Sequence, residues 1–557
     1  MPRAPKRTRL LWSLLVTAGL LALAVWAVHR WARQALEIVA ERAAHQRYEV
    51  AFSDVDITLF PQGIRIDGLR IKPGAAALAN GSSTVAVSAS RVELDDVDLL
   101  ALIRSKALKV GTVRIVAPEV DHAHGTRAKH RPEAKDTTDA AQLPEKLAFL
   151  RVDTLLIINA KGSTRDLSGV HPNASVAGLD IRLTGIRMAP GQEGRPSVHL
   201  SSGELAIRGA EARMAPFYTA HIDSARARYP QNTMRIHGFK LTADVGPDRY
   251  HQVKDAPREL YGVRVDSIRV DGSDLGARLE HGMVTAHECI VSGLRLDIHH
   301  DRSVPDRHRP RSPLPAERIH HARVPIDIGK VQVRDGRVTY HERLKQGDAY
   351  GSVSFTGINV VMAGLGNMRA DSVTDLLVTG RLRLWDAAPT EVEVRQSHAT
   401  AGARISARVH LRDLPAPRMD RLTGELIKVS ATEGRIHSVD MHMEGNDVSA
   451  KGTVHMNYEG LKLKLEPTMR HAKILSAVAN VVVHNNNIPG HRNYRTGEAR
   501  VMRKQEASVF NYLWTVLREG MLDILLPDMV LKRIHRQRER LHHEHAMEAA
   551  KAAKRSK

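Results

Sequence analysis

The chain is written in two hydrophobic periods. Leu10 to Val28 is an uncharged apolar run behind a basic head carrying Arg3, Lys6, Arg7 and Arg9. As an α-helix it covers about 28 Å, close to the hydrocarbon thickness of a bilayer. Trp12 and Trp31 flank it where interfacial aromatics sit. The pattern predicts a transmembrane helix over 10–28, with residues 1–9 as a cytoplasmic basic head. A cleaved signal peptide and a buried core helix are the alternatives. The signal peptide fits less well, because Ala22-Leu23-Ala24 lies inside the apolar run rather than after it. Residues 29–47, with Leu36, Val39 and Ala43 at helical spacing, read as a helical connector.

From Tyr48 the period becomes two. AFSDVDITLF, QGIRIDGLRIK and SRVELDDVDL alternate apolar with polar side chains, as strands with one dry and one wet face do. The phrase running from Ile64 to Ile71 (IRIDGLRI) is echoed from Val263 to Val270 (VRVDSIRV). In each, one extra residue at the Asp-Gly or Asp-Ser step predicts a bulge or tight bend that keeps the aliphatic side chains on one face. Weaker echoes begin at 150, 292, 329 and 460. The expected fold is therefore mainly β. A sheet with one dry face must pack on another sheet, close on itself, or curl into an aliphatic trough, and the pattern does not choose among these.

His122 to Lys146 and His299 to His321 are polar, charged stretches that read as surface loops or linkers, and Lys254 to Arg258 as a shorter turn. They suggest soft boundaries near 145 and 320. Helical periodicity returns late. His471 to Val483 is an apolar stretch stopped by Asn485-Asn486-Asn487 and Pro489. Ser508 to Leu526 repeats Phe510, Leu513, Trp514, Leu517, Met521 and Leu525 at helical spacing, while Arg518, Glu519 and Asp523 argue against a second membrane span. Those six residues are candidates for a membrane- or partner-facing helix, the alternative being a helix packed on the chain's own sheet. Residues 532–557 form a basic, His-rich tail.

Charge and composition narrow the partners. The net charge of +20 favours anionic ones, but aromatics are only 4% of the chain, too few for the stacking platforms of a nucleic-acid binder. Behind a membrane anchor, phospholipid is the expected partner. Cys289 is the sole cysteine, so no internal disulfide forms, and it is expected as a small buried apolar residue.

The anchor followed by FSDVDITLFPQGIRIDGLRI, the strand-helix-strand order of ASRVELDDVDLLALIRSKALKVGTVRIVAPEVD, and the closing KGTVHMNYEGLKLKLE, ANVVV, NNN and EASVFNYLWTVLREGM segments resemble the AsmA-like family of bacterial envelope proteins, relatives of TamB and of repeating β-groove lipid-transfer proteins. The resemblance touches both ends and, more loosely, the middle. It implies an N-terminal transmembrane helix, an elongated, curled antiparallel β-groove of repeated strands, and a closing amphipathic helix. On that plan residues 48–145 form the N-terminal β module, 146–320 and 321–470 the groove, and 471–531 the C-terminal helical segment. It also implies an inner-membrane anchor, a periplasmic bulk, and acyl chains of phospholipid sheltered along Ile64, Ile66, Leu69, Ile71, Val263, Val265, Ile268, Val270, Leu294, Leu296, Leu461, Leu463 and Leu465. The same positions would equally line a sandwich core. The implied role is phospholipid transport and outer-membrane lipid homeostasis or assembly. The alternative is a non-enzymatic scaffold that docks an envelope protein through its C-terminal helix and tail.

Catalytic chemistry finds no foothold. There is no G-x-x-x-x-G-K-[ST], G-x-G-x-x-G or H-E-x-x-H. His122, His124 and His130, His299, His300, His320 and His321, and His542, His543 and His545 are clusters that read as solvated basic surface rather than metal sites. No enzyme activity and no cofactor are expected.

Overall fold

The computed structural model describes residues 48–59, 62–74, 83–98, 107–124, 149–166, 173–190, 196–214, 217–249, 252, 259–274, 282–304, 311–343, 350–368, 375–397, 403–421, 429–465 and 484–526. The expected membrane helix at 10–28, the connector at 29–47, the KDAPR turn, the helix at 471–483 and the tail lie outside them. Among the described residues no helix is long and apolar enough to cross a membrane. The chain forms two compact units, Met1–Gly238 and Phe239–Lys557.

Within the first unit the described elements are all strands. They are β1 (Tyr48–Ala51), β2 (Asp54–Leu59), β3 (Gln62–Pro73), β4 (Thr84–Val97), β5 (Ala107–Val116), β6 (Glu119–His124), β7 (Phe149–Asp166), β8 (Ala174–Pro190), β9 (Pro196–His199), β10 (Ser202–Met214) and β11 (Tyr218–Tyr229), with β12 (Thr233–Ala243) running across the boundary. Three of the ribbons are broken in the middle. β1 and β2 share the edge of β3; β5 and β6 together run between β4 and β7; β9 and β10 both pair with β8. Pairing is antiparallel throughout, except that β5 and β6 lie parallel to β7.

At Asp67-Gly68 the strand carries a local bend rather than a bulge, because Asp67 pairs with Arg91 and Leu69 with Ala89 in an unbroken register. Gly68 has φ +64, and a Cβ there would stand 2.4 Å from Ser53 Oγ, at the break between β1 and β2. Ile64, Ile66, Leu69 and Ile71 all remain half-buried.

The second unit holds β13 (Glu259–Asp271), β14 (Val284–Ser292), β15 (Arg295–Asp301), α1 (Pro315–His320), β16 (Ile326–Arg343), β17 (Tyr350–Gly366), β18 (Leu376–Leu384), β19 (Ala388–Gln396), β20 (Ile405–Pro415), a 3-10 turn (Ala416–Met419), β21 (Val429–Gly445), β22 (Ser449–Leu465), β23 (Gly497–Met502) and α2 (Val509–Leu525). It repeats the broken-ribbon device. β14 and β15 both pair with β13 and both lie parallel to β16.

The two parallel steps match bond for bond. In the first, Ala117 N–H donates to Ile158 O at 2.8 Å and Lys161 N–H to Pro118 O at 2.8 Å. In the second, Gly293 N–H donates to Arg334 O at 3.0 Å and Arg337 N–H to Leu294 O at 2.7 Å. Asn159 and Asp335, at φ 54 and 51, occupy the same place and use the tolerance of Asn and Asp for the left-handed region. A side-chain oxygen on the next strand receives each of their backbone N–H groups, Asp180 Oδ1 at 2.6 Å and Asn359 Oδ1 at 3.3 Å.

A parallel step needs a long return connection, and residues 125–148 and 302–325, equal in length, supply it. The two polar stretches read from the sequence as linkers are thus the crossovers of a duplicated device, and they fall inside the units.

The second crossover is not simply a solvated loop. Leu314 and Ala316 are buried, Ala316 N–H donates to Gln396 Oε1 at 2.9 Å, and Ser312 N–H to Gln505 O at 2.8 Å. Arg311 forks onto Glu317 at 2.6 and 2.7 Å and reaches Asp447 at 2.7 Å. Asp447 also takes Arg503, whose side chain is enclosed, at 2.5 Å. The apolar Leu314 and Ala316, flanked by prolines among charges, escape a composition-based reading. Val304 and Arg311 can be at most about 25 Å apart along the chain. Strand β16, 18 residues long, would span about 60 Å if straight. Val304 follows the end of β15, beside the C-terminal end of β16, whereas Arg311 bonds residues at the opposite strand ends. The second crossover therefore carries the chain from the end of β15 to the opposite set of strand ends.

Candidate functional site

Side chains opposite one another in a β-ladder share a face. In the first unit one such row runs Val55–Ile66–Val92–Ile115–Ile157–Ile181–Leu205, crossing from β2 to β10. A second row, Ile57–Ile64–Leu94–Val113–Leu155–Leu183, runs beside it. Apart from Val55, every member keeps part of its surface exposed, and among the described residues no second layer covers them. On the opposite face the same registers line up Arg65–Glu93–Arg114 and Arg182–Glu204–Arg228, with Arg114 to Glu93 at 2.7 Å, Arg65 to Glu93 at 3.3 Å and Arg228 to Glu204 at 3.2 Å. One face is a continuous aliphatic band perpendicular to the strands, and the other is a charge ladder. Displaced along the same strands from the band, Ile71, Ala86, Val87 and Val120 form the apolar part of a concavity of ≈ 610 Å³ also lined by Arg70, Lys72 and Lys161.

The second unit carries the same construction. Its longest row is Val270–Cys289–Val331–Met362–Val378–Val394–Ala407–Met443–Gly452–Ala499, from β13 to β23. The first six members are half-buried, whereas Ala407, Met443 and Ala499 are 1%, 0% and 2% exposed. The change coincides with α2, whose Tyr512, Val516, Gly520 and Ile524 face the sheet.

Helix and sheet approach too closely for side chains at the crossing. A Cβ on Gly497 would stand 1.9 Å from Gly520 O, and one on Gly520 2.3 Å from Val454 Cγ2. Ser508 caps the helix, accepting from Asn511 N–H at 3.4 Å. Beyond β23, Asn485 to Asn487 complete the edge of β22. Asn487 pairs its backbone with Tyr458 at 2.9 and 3.2 Å, and its side chain donates to Met456 O at 2.7 Å and Arg495 O at 2.9 Å. Those asparagines stop the preceding helical pattern in the sequence, but in the fold they satisfy the sheet edge. Burial pushes the Tyr458 and Tyr512 phenols up to about 12; each donates to a backbone carbonyl, His484 O at 2.9 Å and Asn446 O at 3.1 Å.

The expected groove residues divide accordingly. Ile64 and Ile66 lie in the two rows of the open band, whereas Leu69 and Ile71 are half-buried farther along β3, opposite Ala89 and Val87. Val263, Ile268, Val270, Leu294 and Leu296 are half-buried around the broken ribbon of the second, with Val265 enclosed. Leu461 and Leu463 belong to the packed core under α2 and do not line an open face; the side chain of Leu465 lies outside the description. Of the six helix residues, Leu513, Leu517, Met521 and Leu525 pack partly on that core, while Phe510 and Trp514 are 75% and 42% exposed. The buried stripe is rotated from the one read in sequence, because Tyr512, Gly520 and the β-branched Val516 and Ile524 take the inward positions. Val92, Ile115, Ile157, Ile181 and Leu205 were not singled out, although each sits in an alternating segment; their joining into one row depends on strand register.

Several histidines stand on strands rather than in loops. His122 and His124 are in β6, and His299 and His300 in β15. His299 stacks on His341 of β16 at 4.6 Å between ring centroids, and burial holds both below their ordinary value. Among the described residues no three His, Cys, Asp or Glu side chains converge as a metal site would require. Cys289 is half-buried in the long row, and burial raises its thiol pKa.

No protein-family model matches the chain, and no similar sequence is found among curated proteins.

Proposed function

We propose that the aliphatic band shelters the acyl chains of phospholipid, in an envelope protein held in the inner membrane by residues 10–28 with its bulk in the periplasm, and that it contributes to lipid movement or outer-membrane lipid homeostasis. The observation that carries this reading is the Val55 to Leu205 row: seven aliphatic side chains in register on neighbouring strands, all but the enclosed Val55 keeping part of their surface exposed, backed by a charged opposite face. Contiguous exposed apolar surface on this scale marks a binding surface. Apolar burial at about 25 cal/mol per Å² would hold a chain without directional bonds and so let it slide. The resemblance to AsmA-like proteins supports the same assignment.

A photo-crosslinking amino acid placed in the full-length protein at Ile115 or Ile157 is expected to capture phospholipid, and one at Arg114 or Arg182 on the charged face is not. Equal labelling of both faces, or none at Ile115 and Ile157, would remove the proposal and leave the scaffold reading.

A further inference from the structure

The two copies of the broken-ribbon device differ in how one apolar line is filled. In the first, Ile71, Val87, Val120 and Gly162 are in register from β3 through β4 and β6 to β7. Val263, Leu296 and Val338, at one constant offset in sequence from Val87, Val120 and Gly162, form the matching line in the second copy. Asn159 and Asp335, the left-handed residues of the two copies, keep the same offset. Gly162 thus stands where the second copy has Val338. On the next strand the first copy has Val176 and the second Phe355.

Nothing in the backbone asks for a glycine at 162. It lies inside β7, its φ is outside the left-handed region, and among the described residues a Cβ there would meet only Val120 O, at 3.8 Å. The irregular pairing just before it recurs just before Val338, so that feature does not require glycine either. A strand glycine with no such reason marks a place where a ligand comes close. The room it leaves opens into the concavity of ≈ 610 Å³, within the range of about 300–1,000 Å³ of small-molecule sites. Val120, in its apolar part, is 40% exposed. The charges around the concavity are unevenly matched. Glu119 pairs with Lys161 at 3.5 Å, and Asp121 accepts from Ser163 Oγ and Arg165, each at 2.8 Å. Arg70 and Lys72 line the same space and have no hydrogen bond or ion pair among the described residues. The carboxylates are answered and two cations are not, which suits an anion.

We infer that this concavity is a phosphate site that takes the head of an anionic lipid. Arg70 and Lys72 pair with the phosphate, and Ile71, Val87 and Val120 receive the apolar segment next to it. Taking the ligand as a lipid rests on the proposed function, whereas the phosphate site rests on the surroundings of Gly162. The second copy has more positive charge beside its line, with Arg264, Arg295 and Arg337 where the first has Ser88, Glu119 and Lys161. Yet Val338 stands where the hollow would open. Room, more than charge, sets the first copy apart.

The test titrates the full-length chain, held in a non-ionic amphipol, with dihexanoyl phosphatidic acid, dihexanoyl phosphatidylcholine and inorganic phosphate, and follows the heat of binding. Phosphatidic acid should bind, and phosphatidylcholine about tenfold more weakly, since its ammonium group opposes Arg70 and Lys72. Gly162→Val, which installs the residue of the second copy, and the double variant R70Q/K72Q should each weaken phosphatidic acid binding about tenfold, the scale of one charge-assisted contact. Circular dichroism and the melting temperature should stay at the parent values, because the nearest atom to a Cβ at 162 is 3.8 Å away and Arg70 and Lys72 are exposed. If Gly162→Val misfolds, the surface variant R70Q/K72Q decides the question. Equal binding of the two lipids, or binding that survives both variants, overturns the inference. Inorganic phosphate bound as tightly as phosphatidic acid overturns the assignment to a lipid. Loss of crosslinking at Ile115 with phosphatidic acid still bound would dispose of the band alone, and the reverse would dispose of this site alone.

Discussion

The aliphatic row from Val55 to Leu205 and the stretch Ala407–Met443–Gly452–Ala499 obey the same rule of construction and end in different states. Each is a line of in-register positions on one face of a sheet. In the first unit every side chain but Val55 keeps part of its surface exposed; in the second, α2 lies over the row and burial is nearly complete. The difference is made less by hydrophobicity than by small residues. Gly452, Gly497 and Gly520 remove the side chains that would hold helix and sheet apart, whereas an open β-face does not require such a gap. The same alternating pattern can therefore serve as a core or as a binding face, according to whether a partner element can approach.

That comparison can be broken most directly at the crossing. Gly497→Ala puts a Cβ against a backbone oxygen that cannot move aside, and should destabilise the C-terminal end by about 3 kcal/mol, exposing 484–526 to limited proteolysis. Gly162→Ala in the first unit, where the nearest atom would be Val120 O at 3.8 Å, should stay within about 0.5 kcal/mol. Similar urea midpoints for the two variants would show that the helix is not closely packed.

Truncation of the rows gives a comparably large contrast. Met456→Ala under the helix should cost about 2–5 kcal/mol. Ile157→Ala on the open band should cost about 1 kcal/mol, because part of its surface stays exposed in the folded state and no packed layer collapses around it. Equal losses in chemical denaturation would mean that the band is covered.

Acid should act between these extremes. His299 and His341 are held below their ordinary value of 6.5, first by burial and, for His299, also by the neighbouring ring. The unfolded chain therefore binds more protons than the folded one just below pH 6.5, so stability should fall as the pH drops through that region and be recovered above it. The protection of β15 and β16 amides against hydrogen exchange, corrected for the intrinsic rate at each pH, should fall on acidification, and His341→Gln should flatten the response. A stability that rises toward acid would contradict this placement of the rings.

The smallest effect is expected on the charge ladder. Arg114→Ala breaks the 2.7 Å pair with the buried Glu93, yet should change stability by only about 1 kcal/mol, because Arg65 and Arg91 still face that carboxylate. A larger loss in denaturation would show that the ladder carries structural weight.

Much of the strand architecture was legible because alternation is local. IRIDGLRI contains its own bend, and Gly68 adopts the left-handed conformation there, although the strand register runs through it unbroken. Ser508 and the Phe510 to Leu525 repeat likewise mark α2 to within a residue at each end. The inward stripe of that helix was not legible, since Leu513, Trp514 and Leu517 are as apolar as Val516 and Ile524. Neither was the anchoring of Arg311 to His320, whose partners Gln396, Asp447 and Gln505 are remote in sequence. The candidate site itself was half legible. The sequence picks out Ile64 and Ile66, but their neighbours Val92, Ile115 and Ile157 join them only through pairing between segments separated by a crossover.

By itself, then, the sequence determined the period of each segment, the face each side chain takes within its own strand, and where the chain turns, because these depend on neighbours within a few residues. Tertiary structure decided which strands lie parallel, how the aliphatic positions join into rows, and which part of those rows α2 covers. Register and coverage depend on distant residues meeting, and on whether a glycine or a side chain stands where two backbones approach.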